Sequence, residues 1–251
     1  MASKKQYGLV GKNISYSFSK AYFTEKFERE NYKNHTYENF DIQEIFEFPG
    51  IIKNNPDLKG LNVTIPYKEL VIPFLDKMSK NALKIGAVNT IKFTSSGKTK
   101  GYNTDFYGFK KSLQPLLKPH HQKALILGTG GASKAVAYAL RLLGITYIFA
   151  SREASEKTIT YDQINASTFE EYQIIINCTP LGTSPNVEVC PAIPYQHFTE
   201  HHIAFDLIYN PEETLFLKKA KESGAVIKNG HEMLVFQAEK AWKIWNKKVS
   251  R

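Results

Sequence analysis

The chain has 251 residues, of which 42% are hydrophobic and 13% aromatic, enough apolar material for one large domain or two modest ones. Its formal net charge is +9, which fits either an ordinary basic protein or a field that attracts small anions. The basic residues are scattered and no zinc-finger or RNA-recognition signature occurs, so we do not expect nucleic-acid binding.

The N-terminal residues, the apolar runs and the cysteines indicate the cellular compartment. The N-terminal residues lack the apolar stretch of a secretion signal, and no run of about 18 apolar residues predicts a membrane span. Cys178 and Cys190 form no C-x-x-C pair, which is typical of a reducing environment. We therefore expect a cytoplasmic protein that does not bind membranes.

Strand and helix patterns alternate through the first hundred residues. A helix is expected from about 20 to 31 with Ser19 as its N-cap, and another from 67 to 77. In the strand ending "LNVTIPYK", Asn62 and Thr64 face one way, whereas Val63 and Ile65 face the other way, into the core. Strands are expected at 6–11, 35–42, 58–66, 88–94 and 98–104.

The pattern of apolar residues changes after "LQPLLKPHHQ" (113–122), whose two prolines mark a domain boundary. A helix opening at Asp105 is expected to end near Leu117, within this segment. Continuous apolar strands then alternate with helices, which predicts a doubly wound parallel sheet. The strands are expected at 123–128, 147–151, 173–179, 203–208 and 225–229, and the helices at 131–143, 211–224 and 231–246.

A glycine-rich loop joins the first of these apolar strands to a helix. Gly128 can form the tight turn, Gly130 allows a pyrophosphate to approach the backbone, and Ser133 is small enough for the third position of the fingerprint. The free N–H groups of the new helix favour that anion. The alternative is an ordinary strand–helix turn. The residues expected to bind a dinucleotide are Gly128, Thr129, Gly130, Gly131, Ala132 and Ser133.

The next strand ends at Ser151 and Arg152, where a dinucleotide-binding fold reads the ribose. An arginine there suits the 2′-phosphate of NADP, because guanidinium pairs with phosphate. The neighbouring Glu153 would instead accept from the free 2′-hydroxyl of NAD, and Arg152 alone is also compatible with a plain surface residue. We expect NADP, with NAD as the alternative.

Several motifs in order along the chain resemble the shikimate/quinate dehydrogenase family: "SYSFS", "NVTIPYK", "IGAVNT", "GYNTD", "GTGGAS", "NCTPLG", "DLIYNP" and "NGHEMLVFQAEKA". The resemblance implies two domains with the active site in the cleft between them. Residues 1–105, with a C-terminal helix at 231–251 packing back on them, would bind substrate, and 106–230 would form a Rossmann-like nucleotide domain. The implied reaction is reversible reduction of 3-dehydroshikimate to shikimate by NADPH.

The resemblance also assigns roles to the substrate residues. Ser17 and Ser19 match a pair that holds the substrate carboxylate, although the family commonly has lysine between them and proline after, where this chain has Phe18 and Lys20. Ser19 acting only as an N-cap is the alternative. The residues matching ligands of the substrate hydroxyls or carboxylate are Asn62, Thr64, Asn89 and Asp105, and Lys68 with Asp105 matches the catalytic pair.

Later motifs add residues implied to border the ligands. Gly230, Met233 and Gln237 share a helical face at i, i+3 and i+7. The matching glutamine touches substrate in the family, and the glycine and methionine lie near the nicotinamide. The family usually has Leu-Gly where this chain has His231-Glu232. Tyr209 would lie at the cleft, and Asn177 and Thr179 open a loop beside the cofactor. No metal site is expected.

Two other functions fit the same residues. A quinate or dual quinate/shikimate dehydrogenase using NAD would use Glu153 at the ribose. A non-catalytic dinucleotide sensor would have kept the fold, although it would not need both Lys68 and Asp105. The sequence leaves open whether the protein is a monomer or a homodimer.

Overall fold

The computed structural model describes residues 4–15, 17–94, 96–153, 155 and 158–247. These residues form two units. The first contains the described residues up to Thr104 and those from Ala238 onward; the second is Asp105–Gln237. The sequence predicted boundaries at 105/106 and at 231, so the second unit begins one residue earlier and includes the first two turns of the last helix.

The first unit is built on a mixed six-stranded sheet. Its strands are β1 (Lys5–Gly11), β2 (His35–Asp41), β3 (Leu58–Val63), β4 (Lys77–Met78), β5 (Thr90–Phe93) and β6 (Thr99–Tyr102). Their order is β2-β1-β3-β5-β6-β4, with β5 antiparallel to both neighbours and the other pairs parallel. Its helices are α1 (Phe18–Arg29), α2 (Phe48–Asn54), α3 (Tyr67–Leu70) and α4 (Lys80–Ile85).

An aromatic cluster joins the end of the chain to this sheet. Trp245 donates its indole N–H to the Ile91 carbonyl at 3.0 Å. Its ring lies over Gly60, where any Cβ would collide with it. Glu239 accepts from the buried Lys26 of α1 at 2.8 Å. The last helix therefore completes the hydrophobic core of the first unit.

Three local expectations for the first unit are wrong. Helix α1 begins at Phe18, not at residue 20, because Ser17 caps it. The helix expected over 67–77 ends at Leu70, and a 3-10 turn at Ile72–Phe74 follows; Pro73 in that turn has no N–H to continue an α-helix. Ile65, expected in the core, is 69% exposed, because β3 already ends at Val63 and the chain turns there.

The second unit contains an all-parallel six-stranded sheet, as the apolar strands predicted. Its strands are β7 (Lys123–Leu127), β8 (Thr146–Ser151), β9 (Thr158–Thr160), β10 (Ile174–Asn177), β11 (Ile203–Asp206) and β12 (Val226–Lys228), in the order β12-β11-β10-β7-β8-β9. Its helices are α5 (Asp105–Leu113), α6 (Gly131–Leu142), α7 (Ala166–Glu171), α8 (Leu215–Glu222) and α9 (His231–Asn246), the last continuing into the first unit.

The chain order of this sheet reverses between β7 and β10, where a doubly wound fold binds its ligand outside the carboxyl ends of the strands. Helix α5 ends at Leu113, earlier than expected, and a 3-10 turn with Pro115 follows. None of the described helices is long and apolar enough to cross a membrane.

Candidate active site

Asn62 lies near the end of β3, and its amide is held by protein groups on both sides. Its Oδ1 accepts from the Tyr37 hydroxyl at 2.8 Å. Its Nδ2 donates to the Asn89 carbonyl at 3.2 Å and to Thr90 Oγ1 at 3.3 Å. Because an amide has two donors and two acceptor lone pairs, Asn62 keeps one acceptor position for a ligand.

Two Asn-Thr pairs, Asn89-Thr90 at the start of β5 and Asn103-Thr104 just after β6, are connected by hydrogen bonds. Asn89 Oδ1 accepts from the Thr104 N–H at 2.6 Å, and Asn89 Nδ2 donates to Thr104 Oγ1 at 3.0 Å. Thr90 and Thr104 lie hydroxyl to hydroxyl at 3.1 Å, and Asn103 donates to the Ala87 carbonyl at 3.1 Å. Asn89 is thus fixed beside Asn62 and beside the segment that leads into Asp105, the buried first residue of α5.

Thr64 and Lys68 follow directly after β3. The Thr64 N–H donates to the Val10 carbonyl at 2.9 Å, and its carbonyl accepts from Tyr67 N at 2.9 Å. Among the described residues its hydroxyl makes no hydrogen bond. Lys68 is half-buried in α3, with its carbonyl accepting from Val88 N at 2.7 Å. The turn after β3 therefore presents a hydroxyl and then an ammonium on an anchored backbone.

The serine pair spans the start of α1. Ser17 is extended and its hydroxyl accepts from Lys20 N at 3.4 Å, so Ser17 is the N-cap and the expectation that Ser19 caps the helix is wrong. Ser19 is in the first turn of α1 and is half-buried. Burial raises the pKa of the Tyr37 phenol, and Ser19 acts in the opposite direction. Ser19 therefore lies near Tyr37, the residue that donates to Asn62.

In the second unit, the glycine loop has the backbone that its sequence predicted. Gly128 has φ +96°, a conformation that side-chain-bearing residues rarely adopt, and its α-carbon faces Thr179 of the loop after β10. Gly130 precedes α6, and among the described residues no side chain caps that helix. A Cβ at Gly130 would meet no atom of the described part of the chain within 4 Å. The start of the 12-residue helix α6 thus offers backbone N–H groups beside open space.

Ser133 holds the glycine loop through a buried hydrogen bond. It is 1% exposed, and its hydroxyl donates to the Gly130 carbonyl at 2.7 Å. Gly131 and Ala132 are half-buried between it and the exposed Thr129. The serine at the third fingerprint position therefore holds the turn in shape.

Ser151 ends β8, and Arg152 and Glu153 after it are both exposed. The Arg152 guanidinium lies near Tyr161: burial raises the pKa of this phenol, and Arg152 acts in the opposite direction. The carboxyl end of β8, the strand next to β7, is therefore followed by one exposed positive and one exposed negative side chain, and their role in reading the ribose stays a prediction.

A buried polar cluster shapes the loop after β10; it joins the predicted Asn177 and Thr179 to Asp206 and Thr214, which sequence reasoning missed. Asn177 is fully buried; it donates to Asp206 Oδ1 at 3.1 Å and accepts from the Thr179 hydroxyl at 2.7 Å. Asp206 also accepts from Ile208 N at 3.0 Å and from Thr214 Oγ1 at 2.6 Å. Burial raises the pKa of the Asp206 carboxyl to about 6, although these donors act the other way.

The remaining predicted residues lie after β11 and on α9. Gly230 N donates to the Ile208 carbonyl at 2.9 Å, and a Cβ at Gly230 would collide with the Leu207 carbonyl. This contact brings the segment of the half-buried Tyr209 to the start of α9. Met233 is in the hydrophobic core of the second unit, and Gln237 is buried against Gly108.

Comparison with known proteins assigns the family. The chain is 37% identical over 251 aligned residues to a protein of Clostridium botulinum named shikimate dehydrogenase (NADP(+)), covering 95% of both chains. The chain belongs to the shikimate dehydrogenase family. A family model described as the shikimate dehydrogenase substrate binding domain matches residues 9–91.

Solved shikimate dehydrogenases have the same fold. One, in complex with NADP+, superposes with a TM-score of 0.87 at 33% identity, covering 97% of this chain and 90% of that one. Another, from Thermus thermophilus in complex with NADP(H) and shikimate, gives 0.85 at 29% identity, covering 98% and 95%. The α/β class and the Rossmann-like second unit are confirmed.

The cofactor implied by the shikimate dehydrogenase family fits this second unit. A dinucleotide pyrophosphate needs a close backbone approach and unblocked N–H groups at a helix start. The open space at Gly130 and the absence of a side-chain cap in this described segment meet both needs. The loop after β10 lies next to Gly128. The loops after β7 and β10, where the chain order of the sheet reverses, can therefore both contact one ligand.

The structure brings the predicted residues together in two groups, one in each unit. In the first, Asn62 donates to the Asn89 carbonyl, and Thr64 and Lys68 follow Asn62 along the chain. Ser19 lies near Tyr37, which donates to Asn62. In the second, the glycine loop meets Thr179. Sequence reasoning missed Tyr37, Thr90 and Thr104. The repeated Asn-Thr in "AVNT" and "YNTD" was a usable signal for the two threonines, whereas nothing local marked Tyr37.

Proposed function

We propose that the chain is an NADP-dependent shikimate dehydrogenase that interconverts 3-dehydroshikimate and shikimate. The observation that carries this proposal is the match to proteins named shikimate dehydrogenase (NADP(+)) over 95% of the chain. The match extends through both units, so it includes the polar group of the first and the glycine loop of the second. We accordingly propose the first unit for substrate and the second for cofactor.

Lys68 and Asp105 would carry the acid–base chemistry. When bound, the nicotinamide supplies or accepts the hydride. Hydride addition to a ketone leaves an alkoxide, which needs a proton or a nearby positive charge. The Lys68 ammonium provides either, and the Asp105 carboxylate would orient the lysine and the reacting hydroxyl or share the proton.

Substrate selectivity would come from the polar residues of the first unit. Shikimate has hydroxyls and a carboxylate in fixed positions. A site that bonds each of them disfavours analogues lacking one, because its own buried groups are then left unpaired. Asn62 and Asn89 are held rigidly by protein partners, and the Thr64 hydroxyl is available, so Ser17, Ser19 and these three residues form the proposed substrate contacts. Tyr209 and Gln237 are proposed as further contacts from the second unit.

The deciding measurement is nicotinamide absorbance with purified protein, shikimate or quinate as substrate, and NADP+ or NAD+ as cofactor. We expect the fastest reduction with shikimate and NADP+. Faster reduction with quinate and NAD+ would replace the proposal with a quinate dehydrogenase. No reduction in any of the four combinations, from folded protein, would favour a dinucleotide sensor.

Arg152 is proposed to select NADP through the 2′-phosphate. Replacing Arg152 by alanine removes a charge-assisted bond of roughly 1.5–3 kcal/mol, so KM for NADP+ should rise about 10- to 100-fold while KM for NAD+ stays near its wild-type value. The matched control is Arg141→Ala, an exposed arginine in the last turn of α6. An equal rise in both KM values for Arg152→Ala would contradict the role.

We further propose a cytoplasmic enzyme, because both cysteines, Cys178 and Cys190, are free and half-buried in the described structure. Sedimentation would distinguish a monomer from a homodimer.

A further inference from the structure

Tyr37 lies in the middle of β2 and carries a buried hydroxyl that no proposed catalytic role uses. The side chain is 3% exposed, and its ring stacks on Phe23 with centroids 4.7 Å apart and planes at 12°. The hydroxyl donates to Asn62 Oδ1 at 2.8 Å. Tyr37 thus contacts, from a different strand, a residue proposed to bind substrate.

Hydrogen bonds continue beyond Asn62. Asn62 Nδ2 donates to Thr90 Oγ1 at 3.3 Å, and Thr90 Oγ1 donates to Asn89 Oδ1 at 3.1 Å. A continuous hydrogen-bonded path, which we call the Tyr37 path, therefore runs through Tyr37, Asn62, Thr90 and Asn89. All four residues belong to the first unit.

The physical properties of Tyr37 suit a fixed support. Its ring is held by stacking, so the hydroxyl has little freedom to follow a displaced partner. Burial raises the pKa of the phenol, so the hydroxyl keeps its proton at neutral pH and remains a donor to Asn62. With that donor in place, Asn62 presents its carbonyl oxygen in one orientation, since rotation of the amide would put its NH₂ against the phenol proton.

We infer that Tyr37 is a positioning residue for the substrate: its hydroxyl sets the orientation of the Asn62 amide toward shikimate. The inference rests on the proposed function. It adds a residue that touches no ligand but decides which atom of a ligand-binding side chain faces the substrate.

The test is Tyr37→Phe, which keeps the stacked ring and removes one oxygen. We expect KM for shikimate to rise about tenfold, the equivalent of one net hydrogen bond, with KM for NADP+ unchanged. The matched control is Tyr7→Phe, in the same aromatic cluster. Tyr7 makes no hydrogen bond to Ser19 or Asn62 in the described structure, so this variant should leave both KM values unchanged.

A double-mutant cycle with Asn62→Ala examines the connection itself. If Tyr37 acts through Asn62, the double variant should lose less than the product of the two single effects. Independent, multiplicative effects would overturn the inference. An unchanged KM for shikimate in Tyr37→Phe, or an equal rise in both KM values, would overturn the inference.

A second variant covers the case in which Tyr37→Phe does not fold. Thr90→Val removes the hydroxyl that accepts from Asn62, whereas Thr90→Ser keeps it. We expect the same selective rise in KM for shikimate with valine and near-normal values with serine; equal values for the two would overturn the inference. If the wild-type protein itself reduces NADP+ with neither acid, the proposed function fails and the inference fails with it.

Discussion

The glycine loop of the second unit and the Tyr37 path of the first are built in opposite ways. The loop is six consecutive residues, 128–133, and its ligand-facing groups are backbone N–H groups. The path joins side chains from residue 37 to residue 89, contributed by β2, β3, β5 and the segment before β5.

The difference follows from the chemistry of the two ligands. A pyrophosphate is a diffuse anion that any row of N–H groups can bind, so glycine spacing after a buried strand is enough. A small polyhydroxylated acid needs donors and acceptors at fixed positions, and fixed positions require buried side chains that hold one another. Short local sequence specifies the first kind of site, whereas only the folded unit can assemble the second.

The largest expected effect separates catalysis from both kinds of binding. Replacing Lys68 by alanine should lower kcat about 10³-fold while KM for shikimate changes far less, because the lysine stabilises charge that develops in the transition state. Steady-state rates with shikimate and NADP+ measure both parameters.

The matched control is Lys84→Ala, an exposed lysine at the end of α4 that should leave kcat unchanged. Unchanged turnover in Lys68→Ala would remove this residue from the chemistry and leave it among the substrate contacts.

Asp206 tests whether the second unit also depends on contacts between distant residues. The folded pKa of its carboxyl is about 6, above the ordinary 3.8, so the folded chain holds the proton more tightly than the unfolded chain. The resulting stabilisation is complete below pH 3.8 and is lost as the pH rises through 6. Two pKa units correspond to about 3 kcal/mol.

Asp206→Asn has no such titration, and its amide can donate to the Thr214 hydroxyl in place of Oδ2. Relative to this variant, the free energy of unfolding of the wild type should fall by up to about 3 kcal/mol between pH 4 and pH 7, measured by urea titration. The control is Asp162→Asn. Asp162 is exposed, and hydrogen bonds from Thr160 and its own backbone lower the pKa of its carboxyl. Relative to this variant, the free energy of unfolding of the wild type should therefore rise with pH instead of falling. Parallel curves for wild type and Asp206→Asn would contradict the shift.

The smallest expected effect compares two glycines of the loop. Gly130 has φ −72° and open space at its Cβ position, so Gly130→Ala should fold with unchanged Tm but raise KM for NADP+ about tenfold, because the methyl occupies the pyrophosphate side. Gly128 has φ +96°, so Gly128→Ala should instead lose about 1–2 kcal/mol of stability.

Thermal unfolding and KM for NADP+ on both variants separate the two roles. A drop in Tm for Gly130→Ala equal to that of Gly128→Ala would show that both glycines serve the fold alone.

Much of the second unit could be predicted because its information is local. The strands 123–127, 174–177 and 203–206 read as continuous apolar runs, and a strand buried on both faces needs such a run. The glycines mark a turn by their own conformational freedom, and Arg152 follows the next strand directly. None of these inferences needs a partner far away in the chain.

In the first unit, local sequence did not predict where two of the elements end or begin. The sequence placed Ile65 in the core from strand alternation, but β3 ends at Val63 and the side chain is exposed. It placed the helix cap on Ser19, two residues after the true cap, Ser17. Both errors concern ends of elements, which depend on what the neighbouring strand and helix already occupy.

The sequence by itself determined the α/β class, the parallel second sheet and the glycine loop, because each follows from periodicity or from the backbone freedom of single residues. Only the tertiary structure decided that Tyr37 supports Asn62, that Thr90 and Thr104 hold Asn89, and that Asp206 is buried with Asn177 and Thr214. A buried polar group must find its hydrogen-bond partners within the fold, and the strand pairing that brings those partners within reach joins residues far apart in the chain.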